Sequence, residues 1–389
     1  MFKRHVEEEL AASLDLAPIV LLTGARQTGK TTLAEAIAQK RGYSFTTFDD
    51  EFTVSNAKRD PSGWLSHLPK PIFIDEVQRV PEILLSIKQD VDQNPQAGRY
   101  LLTSSANRLD LTDQMKIISI FPFSQGEIRK IKESFISLIF HNELLPFKLE
   151  DLSQEALHQM LLRGGFLPLQ NLTDTKKWVH SYLQKMMERD IRDLSNVEGL
   201  REFPRIFHAL ATRSAQLLNI SELSRSLGMV NVTVHRYLRL LETLYLIHLL
   251  PAWVTDQAKR LTKSPKLHLS DTALLGQLGQ TDNSQFLESF IFSELLKQRS
   301  WAPFPFGIYH FRDGDHEVDL VLEKPDGTIV GIEVKSTQKL HSNDLKGLKH
   351  LQKLAKNHFK RGIVLHPGTQ IEHLEQDLWA MPIQALWVN

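Results

Sequence analysis

Apolar residues take two alternating textures over roughly the first third of the chain. Short runs that are apolar almost throughout, Ile19-Val20-Leu21-Leu22, Pro71-Ile72-Phe73-Ile74 and Arg99-Tyr100-Leu101-Leu102-Thr103, are separated by stretches such as Leu33-Ala34-Glu35-Ala36-Ile37-Ala38 that favour helix. Continuous apolar runs suit strands covered on both faces, so the pattern predicts an α/β domain built on a parallel sheet.

From Phe121-Pro122-Phe123-Ser124 the alternation fades, and 155–194 reads as helices broken at Arg163-Gly164-Gly165-Phe166-Leu167-Pro168. Trp178-Val179, Tyr182-Leu183 and Met186-Met187 recur at helical spacing and are expected to form core. Next, Ile220–Leu227 and Thr233–Leu241 read as two helices around a Gly228-Met229 turn, with Asn219 or Ser221 capping the first and Asn231 the second. Leu244–Leu250 and Leu267–Leu269 then suit a β hairpin, which completes a winged helix. In the last hundred residues, His316–Glu323 alternates with period two, Pro325-Asp326-Gly327 turns the chain, and Ile329–Lys335 returns as a second strand. Amphipathic segments from about Gln285 to Lys297 and from Leu345 to Phe359 flank that hairpin.

Composition narrows the function classes without choosing one. A chain of 389 residues exceeds one ordinary domain. Four are expected: a nucleotide domain over 1–128, a helical connector over 129–210, a winged helix over 211–270 and an α/β domain over 271–389. Forty-six Lys and Arg balance 46 Asp and Glu, so any nucleic-acid contact rests on a local basic face. No cysteine is present, which removes disulfides and thiolate zinc sites, and the 16 histidines show no metal spacing. The longest apolar stretches are interrupted by polar residues and the start of the chain has no signal-peptide core, so a cytoplasmic protein with no membrane contact is expected.

Chemistry enters with Gly24-Ala25-Arg26-Gln27-Thr28-Gly29-Lys30-Thr31-Thr32, a G-x-x-x-x-G-K-T spacing between a predicted strand and a predicted helix. Such a loop turns successive N–H groups toward a triphosphate, Lys30 neutralises the β and γ phosphates, and Thr31 offers its hydroxyl to Mg²⁺. The strand ending in Asp75 and Glu76 is expected to deliver a metal-holding carboxylate and a base that polarises the attacking water. Ser105 or Asn107, after the third strand, can sit beside the γ phosphate or simply cap a helix. On the second helix of the winged helix, Val232, Thr233, His235, Arg236 and Arg239, with Lys259, Arg260, Lys263 and Lys266 on the wing side, can face DNA; a purely protein-packing role is the alternative. In the C-terminal hairpin Asp319 and Glu333 are placed to share a Mg²⁺ beside Lys335, with Glu288 as a further metal carboxylate, although solvated hairpins carry acids and lysines routinely.

Together these residues resemble the bacterial and archaeal AAA-type P-loop ATPases that carry a C-terminal region built from a winged helix and a restriction-endonuclease-like, PD-(D/E)XK, domain. The resemblance rests on Thr23 to Thr32, Ile74-Asp75-Glu76-Val77-Gln78, Leu101 to Asn107, Arg163-Gly164-Gly165-Phe166, Arg189-Asp190, Lys263-Ser264-Pro265-Lys266, Asp271, Glu317-Val318-Asp319 and Ile332-Glu333-Val334-Lys335. It implies ATP as nucleotide and a nuclease-like site at Asp319, Glu333 and Lys335. Two departures stand out: Ser104 replaces a glycine, and the stretch after Asn107 is short and lacks the family's arginine, leaving Arg108 and Lys116 as the nearby cations. The reading is therefore an ATP-controlled, ATP-hydrolysing switch with a DNA-binding module and self-association among its possible partners. The alternatives are an ATP-gated, Mg²⁺-dependent DNA nuclease, or a protein-binding regulator whose nuclease-like domain is inactive.

Overall fold

In a computed structural model the chain is described at residues 3–107, 113–141, 149, 152–191, 202–256, 260, 263–278 and 283–388, the side chains of 189–191 and 277–278 excepted. The first domain is an α/β fold. Its five strands, β1 (Ile19–Thr23), β2 (Ser44–Thr47), β3 (Ile72–Asp75), β4 (Tyr100–Ser104) and β5 (Met115–Ser119), form one parallel sheet in the order β2-β3-β4-β1-β5. The apolar runs are continuous because alternate residues feed different cores. Ile19, Leu21, Ile72, Ile74, Tyr100 and Leu102 pack with Phe48, Val54, Ile83 and Ile87 on one face. Val20, Leu22, Phe73, Leu101 and Ile118 pack with Leu10, Leu14, Leu33 and Ile37 on the other. Leu10 and Leu14 belong to an N-terminal helix, Glu7–Leu16, which closes that face.

The middle of the chain is helical, with Gln154–Arg163 and Thr175–Lys185 separated by the break expected at the paired glycines. Phe203–Ala211, β6 (Gln216–Leu217), Ile220–Leu227, Asn231–Thr243, β7 (Ile247–Leu250) and β8 (Lys266–Leu269) follow, with the strands in the order β6-β8-β7. Asn219 caps its helix by accepting the Glu222 N–H at 3.1 Å, and Gly228 ends it at φ +66°. Asn231 does not cap: it is the first residue of its helix, which starts after Val230 with no side-chain cap.

The C-terminal part is a separate mixed sheet. β9 (Gly307–Asp313), β10 (His316–Glu323), β11 (Ile329–Val334), β12 (Phe359–His366), β13 (Glu372–Glu375) and β14 (Leu378–Pro382) run in the order β13-β14-β12-β11-β10-β9. β9, β10 and β11 are antiparallel, whereas β11, β12 and β14 are parallel. Helix Lys346–Ala355 covers one face and helix Asn283–Gln298, buried from Phe286 to its end, covers the other. One hydrophobic core extends from Phe121 through the helical region and β7 to Trp387, so these parts pack as a continuous body. No described helix is long and apolar enough to cross a membrane.

Gly164 is the tightest joint in that body. At φ +56° and ψ −147° it occupies backbone space reserved for glycine, and a Cβ would lie 1.7 Å from Asp271 Oδ1. Asp271 meanwhile accepts the Gly165 and Ala273 N–H groups, each at 2.9 Å. Gly164→Ala should therefore destabilise the protein by about 2–3 kcal/mol, read from chemical denaturation.

Candidate functional site

The phosphate loop is built where backbone must approach backbone. A Cβ on Gly24 would stand 2.0 Å from the Ile120 carbonyl oxygen, so only glycine lets the loop pass the end of β5. Gly29, at φ +88°, precedes helix Lys30–Arg41, and Gln27 also has positive φ. Lys30 is buried, and its Nζ donates to the carbonyls of Gly24 and Ala25, both at 2.9 Å. The ammonium thus closes the mouth of its own loop. Thr28 Oγ1 donates to the Ala25 carbonyl at 2.9 Å, which braces the same turn. Arg26 is half-buried, while Gln27 and Thr32 are exposed.

β3 carries its two acids to the same place. Thr31 Oγ1 donates to Asp75 Oδ1 at 2.9 Å, and Thr103 of β4 donates to the same oxygen. Burial pushes the Asp75 carboxyl above its ordinary value despite these two hydrogen bonds. Glu76 sits in left-handed backbone at φ +56°, with its N–H bound to Thr103 Oγ1 at 3.0 Å. Its Oε2 accepts from Ser105 Oγ at 2.8 Å and from Gln78 Nε2, while Gln78 Nε2 also reaches Ser105 Oγ at 2.7 Å. Burial opposes ionisation of Glu76, but Lys30, the Gln78 hydrogen bond, Arg26 and Ser105 outweigh it and hold the carboxyl below its ordinary value. Asn107 is exposed, and its backbone N–H ties to the Thr243 carbonyl at 2.8 Å, at the end of helix Asn231–Thr243. Lys116 lies on edge strand β5 and pairs with Glu9 at 3.3 Å, whereas Arg108 is outside the described residues.

These donors fit Mg²⁺-ATP. The cradle excludes side chains at Gly24, one hydroxyl and one carboxylate converge, and Mg²⁺ takes its remaining oxygens from phosphates and water.

Behind the loop stands Arg4. Its guanidinium, 5 % exposed, donates from Nη1 to the Thr28 carbonyl, from Nη2 to the Phe121 carbonyl at 2.8 Å and from Nε to Glu127 Oε1 at 2.9 Å, and lies over the Phe123 ring. Glu127 also closes a capping box with Ser124 and accepts the His5 N–H at 2.8 Å. Glu133, beside it, accepts from Ser124 Oγ and the Gly126 N–H and pairs with His5 Nδ1 at 3.1 Å. From the same turn the Gln125 N–H reaches Glu294 Oε2 at 2.8 Å, and Glu294 pairs with Lys297 at 2.7 Å. The sequence gives Arg4 and Glu127 no site role, and Gln78 and Thr103 stand in it only within motif runs, with no contact assigned to either. Ser124-x-x-Glu127 was legible as a capping box; nothing local marks the others.

The C-terminal acids also meet, around an unexpected cation. The β10–β11 register sets Leu320 against Ile332, so Asp319 and Glu333 follow one step beyond, and Asp319 Oδ2 accepts the Val334 N–H at 2.8 Å. Lys335 pairs with Glu333 at 2.9 Å and with Asp344 at 3.4 Å. Burial and Asp319 push Glu333 up to about 8. Between Asp319 and Glu288, however, stands Lys266 of β8, expected on a basic wing but almost fully buried. Its Nζ lies 2.8 Å from Glu288, 2.9 Å from Glu317 and 3.4 Å from Asp319. Burial alone would lower the Lys266 ammonium, but Glu288, Asp319 and Glu317 raise it above the ordinary lysine value. Among the described residues no group of three or more His, Asp or Glu is placed to hold a metal. Of the acids expected to share a metal, Glu288 and Asp319 thus face the Lys266 ammonium, and Glu333 faces Lys335.

Arg260, also expected on the wing, turns inward to Glu323 at 2.7 Å and lies over Tyr309; Lys259 is outside the described residues. His235, Arg236 and Arg239 are exposed on their helix, with Thr233 half-buried.

Comparison with known proteins assigns a family to the first domain. Residues 17–129 match the family described as an AAA domain, and residues 154–285 and 284–386 match two domains of unknown function, DUF8612 and DUF4143. The uncharacterized protein Rv2008c of Mycobacterium tuberculosis is 30% identical over 350 residues, covering 86% of this chain and 74% of its own, and Mb2031c of Mycobacterium bovis aligns equally. Among solved structures, the Walker-type ATPase PABY2304 of Pyrococcus abyssi is 15% identical, covering 72% of this chain and 96% of that one with a TM-score of 0.43. The Thermotoga maritima RuvB Holliday junction branch migration motor is 18% identical, covering 66% and 93% with a TM-score of 0.30.

Two measurements test the support behind the loop. Arg4→Met leaves Glu127 buried without its ion-pair partner and should cost about 3–5 kcal/mol in denaturant unfolding. Glu133 is pushed up to about 7, chiefly by burial, from an ordinary 4.5. The folded state therefore holds a proton that the unfolded chain releases, and this contribution to stability is full below pH 4.5 and lost as pH rises through 7. Glu133→Gln should flatten that slope in thermal unfolding across the same window.

Proposed function

The chain belongs to the same family as Rv2008c, and because its first domain is an AAA-type P-loop ATPase domain, we propose that it is an ATP-hydrolysing switch whose loop state is transmitted to the C-terminal half. The observation that carries this reading is Arg4, one buried group touching both the back of the phosphate loop and the turn that grips Glu294. With ATP present, Lys30 would exchange the Gly24 and Ala25 carbonyls for phosphate oxygens, the Thr31 hydroxyl would hold Mg²⁺, and Asp75 would hold it through water. Glu76 orients the attacking water once Gln78 and Ser105 release it; in their grip its carboxylate is already engaged.

A nucleic-acid ligand is the finer reading of the middle region as a winged helix. It is supported by His235, Arg236 and Arg239 lying exposed on one helix, and is narrowed by the inward turn of Arg260 and Lys266. Contact through that helix alone predicts binding that weakens steeply with salt.

Lys30→Ala should weaken Mg²⁺-ATP binding by about tenfold or more in a fluorescence titration. Glu76→Gln should retain ATP while turnover falls by about two powers of ten. Equal ATP affinity in wild type and Lys30→Ala would remove the basis of the proposal.

A further inference from the structure

Four carboxylates at the junction of β8, β10, β11 and helix Asn283–Gln298 invite a divalent metal, yet the protein brings its own cation to them. An ammonium has three donors, and Lys266 Nζ faces three carboxylates: Glu288 at 2.8 Å, Glu317 at 2.9 Å and Asp319 at 3.4 Å. The side chain is 2 % exposed, so water does not share the task. Its position is held on both sides. β8 is the central strand of its small sheet, pairing with β6 and β7, and the His310 ring of β9 meets the Ser264 carbonyl at 3.1 Å just before β8 begins.

The remaining oxygens do not make up a metal's needs. Asp319 Oδ2 is committed to the Val334 N–H and Glu333 Oε1 to Lys335. Glu333 Oε2 is buried without a hydrogen-bond partner, but the carboxylates that would have to join it around Mg²⁺ or Mn²⁺, those of Glu288, Glu317 and Asp319, already face the Lys266 ammonium. Removing the ammonium would change this at once, freeing oxygens of Glu288, Glu317 and Asp319 around one point.

We propose that Lys266 is the built-in counter-ion of this cluster, that the folded chain consequently binds no divalent metal there, and that the cluster serves to clamp β8 onto the C-terminal sheet. The nuclease-like arrangement of Asp319, Glu333 and Lys335 is then a structural junction rather than a metal-dependent cutting site.

The test uses the full chain without nucleotide and Mn²⁺ as the probe, with bound ion counted by electron paramagnetic resonance. Wild type and Asp319→Asn should bind Mn²⁺ identically. Lys266→Met should acquire a site at least about tenfold tighter than any in wild type, and Mn²⁺ should raise its thermal midpoint. Both gains should vanish in Lys266→Met/Asp319→Asn. Wild-type Mn²⁺ binding, or Mn²⁺-dependent DNA cleavage, that disappears in Asp319→Asn would overturn the proposal. So would a folded Lys266→Met that ignores the metal. If Lys266→Met does not fold, the wild-type and Asp319→Asn comparison decides alone.

Discussion

The fold of the nucleotide domain hangs on how Arg4 is paired. A guanidinium removed from water is tolerated only with its hydrogen bonds filled, and the partners of this one come from three separate places: the loop at Thr28, the chain leaving β5 at Phe121 and the short helix at Glu127. None can shift alone without leaving a buried charge short of a partner. The bond to Thr28 also sets the direction of the neighbouring amide. In a planar trans peptide the Gly29 N–H points opposite to the Thr28 carbonyl, and so away from Arg4. The anchor behind the loop thereby fixes a donor at its front.

The front of the loop is poised in a complementary way. Lys30 satisfies the carbonyls of Gly24 and Ala25, and Glu76 is satisfied by Ser105 and Gln78, so no charge there is left unmet before a ligand arrives. Replacing these internal contacts with phosphate contacts exchanges one satisfied arrangement for another. The back of the site continues through Gln125 to Glu294, Lys297 and Asp271, all buried, and ends at the glycine pair that joins the helical region.

Much of this was legible where the physics is local. The five-stranded sheet follows from apolar runs that serve a core on each face, and the loop, Asp75, Glu76 and the β10–β11 hairpin are set by spacing within a few residues. What escaped is what the chain brings together from afar. Arg4 finds partners 24, 117 and 123 positions away, and nothing in Lys3-Arg4-His5 announces a buried group. Lys266 was read with the lysines and arginines around it as a basic surface, because sequence shows charge but not whether it faces carboxylates 22 and 53 positions on. Asn231 shows the same limit on a smaller scale: its residue type caps well, but the helix already begins at Asn231, so the capping position falls to Val230.

The seam between the two regions of unknown function falls at residues 284 and 285, between Lys266 and all of its carboxylates. A cut there would separate the positive member of a buried charge group from its negative ones, and would split the single core that runs from Phe121 to Trp387. A sequence boundary between families is thus not a mechanical boundary in this protein. β8 and the last hundred residues are therefore one mechanical piece, held by a buried charge group as well as by the shared core.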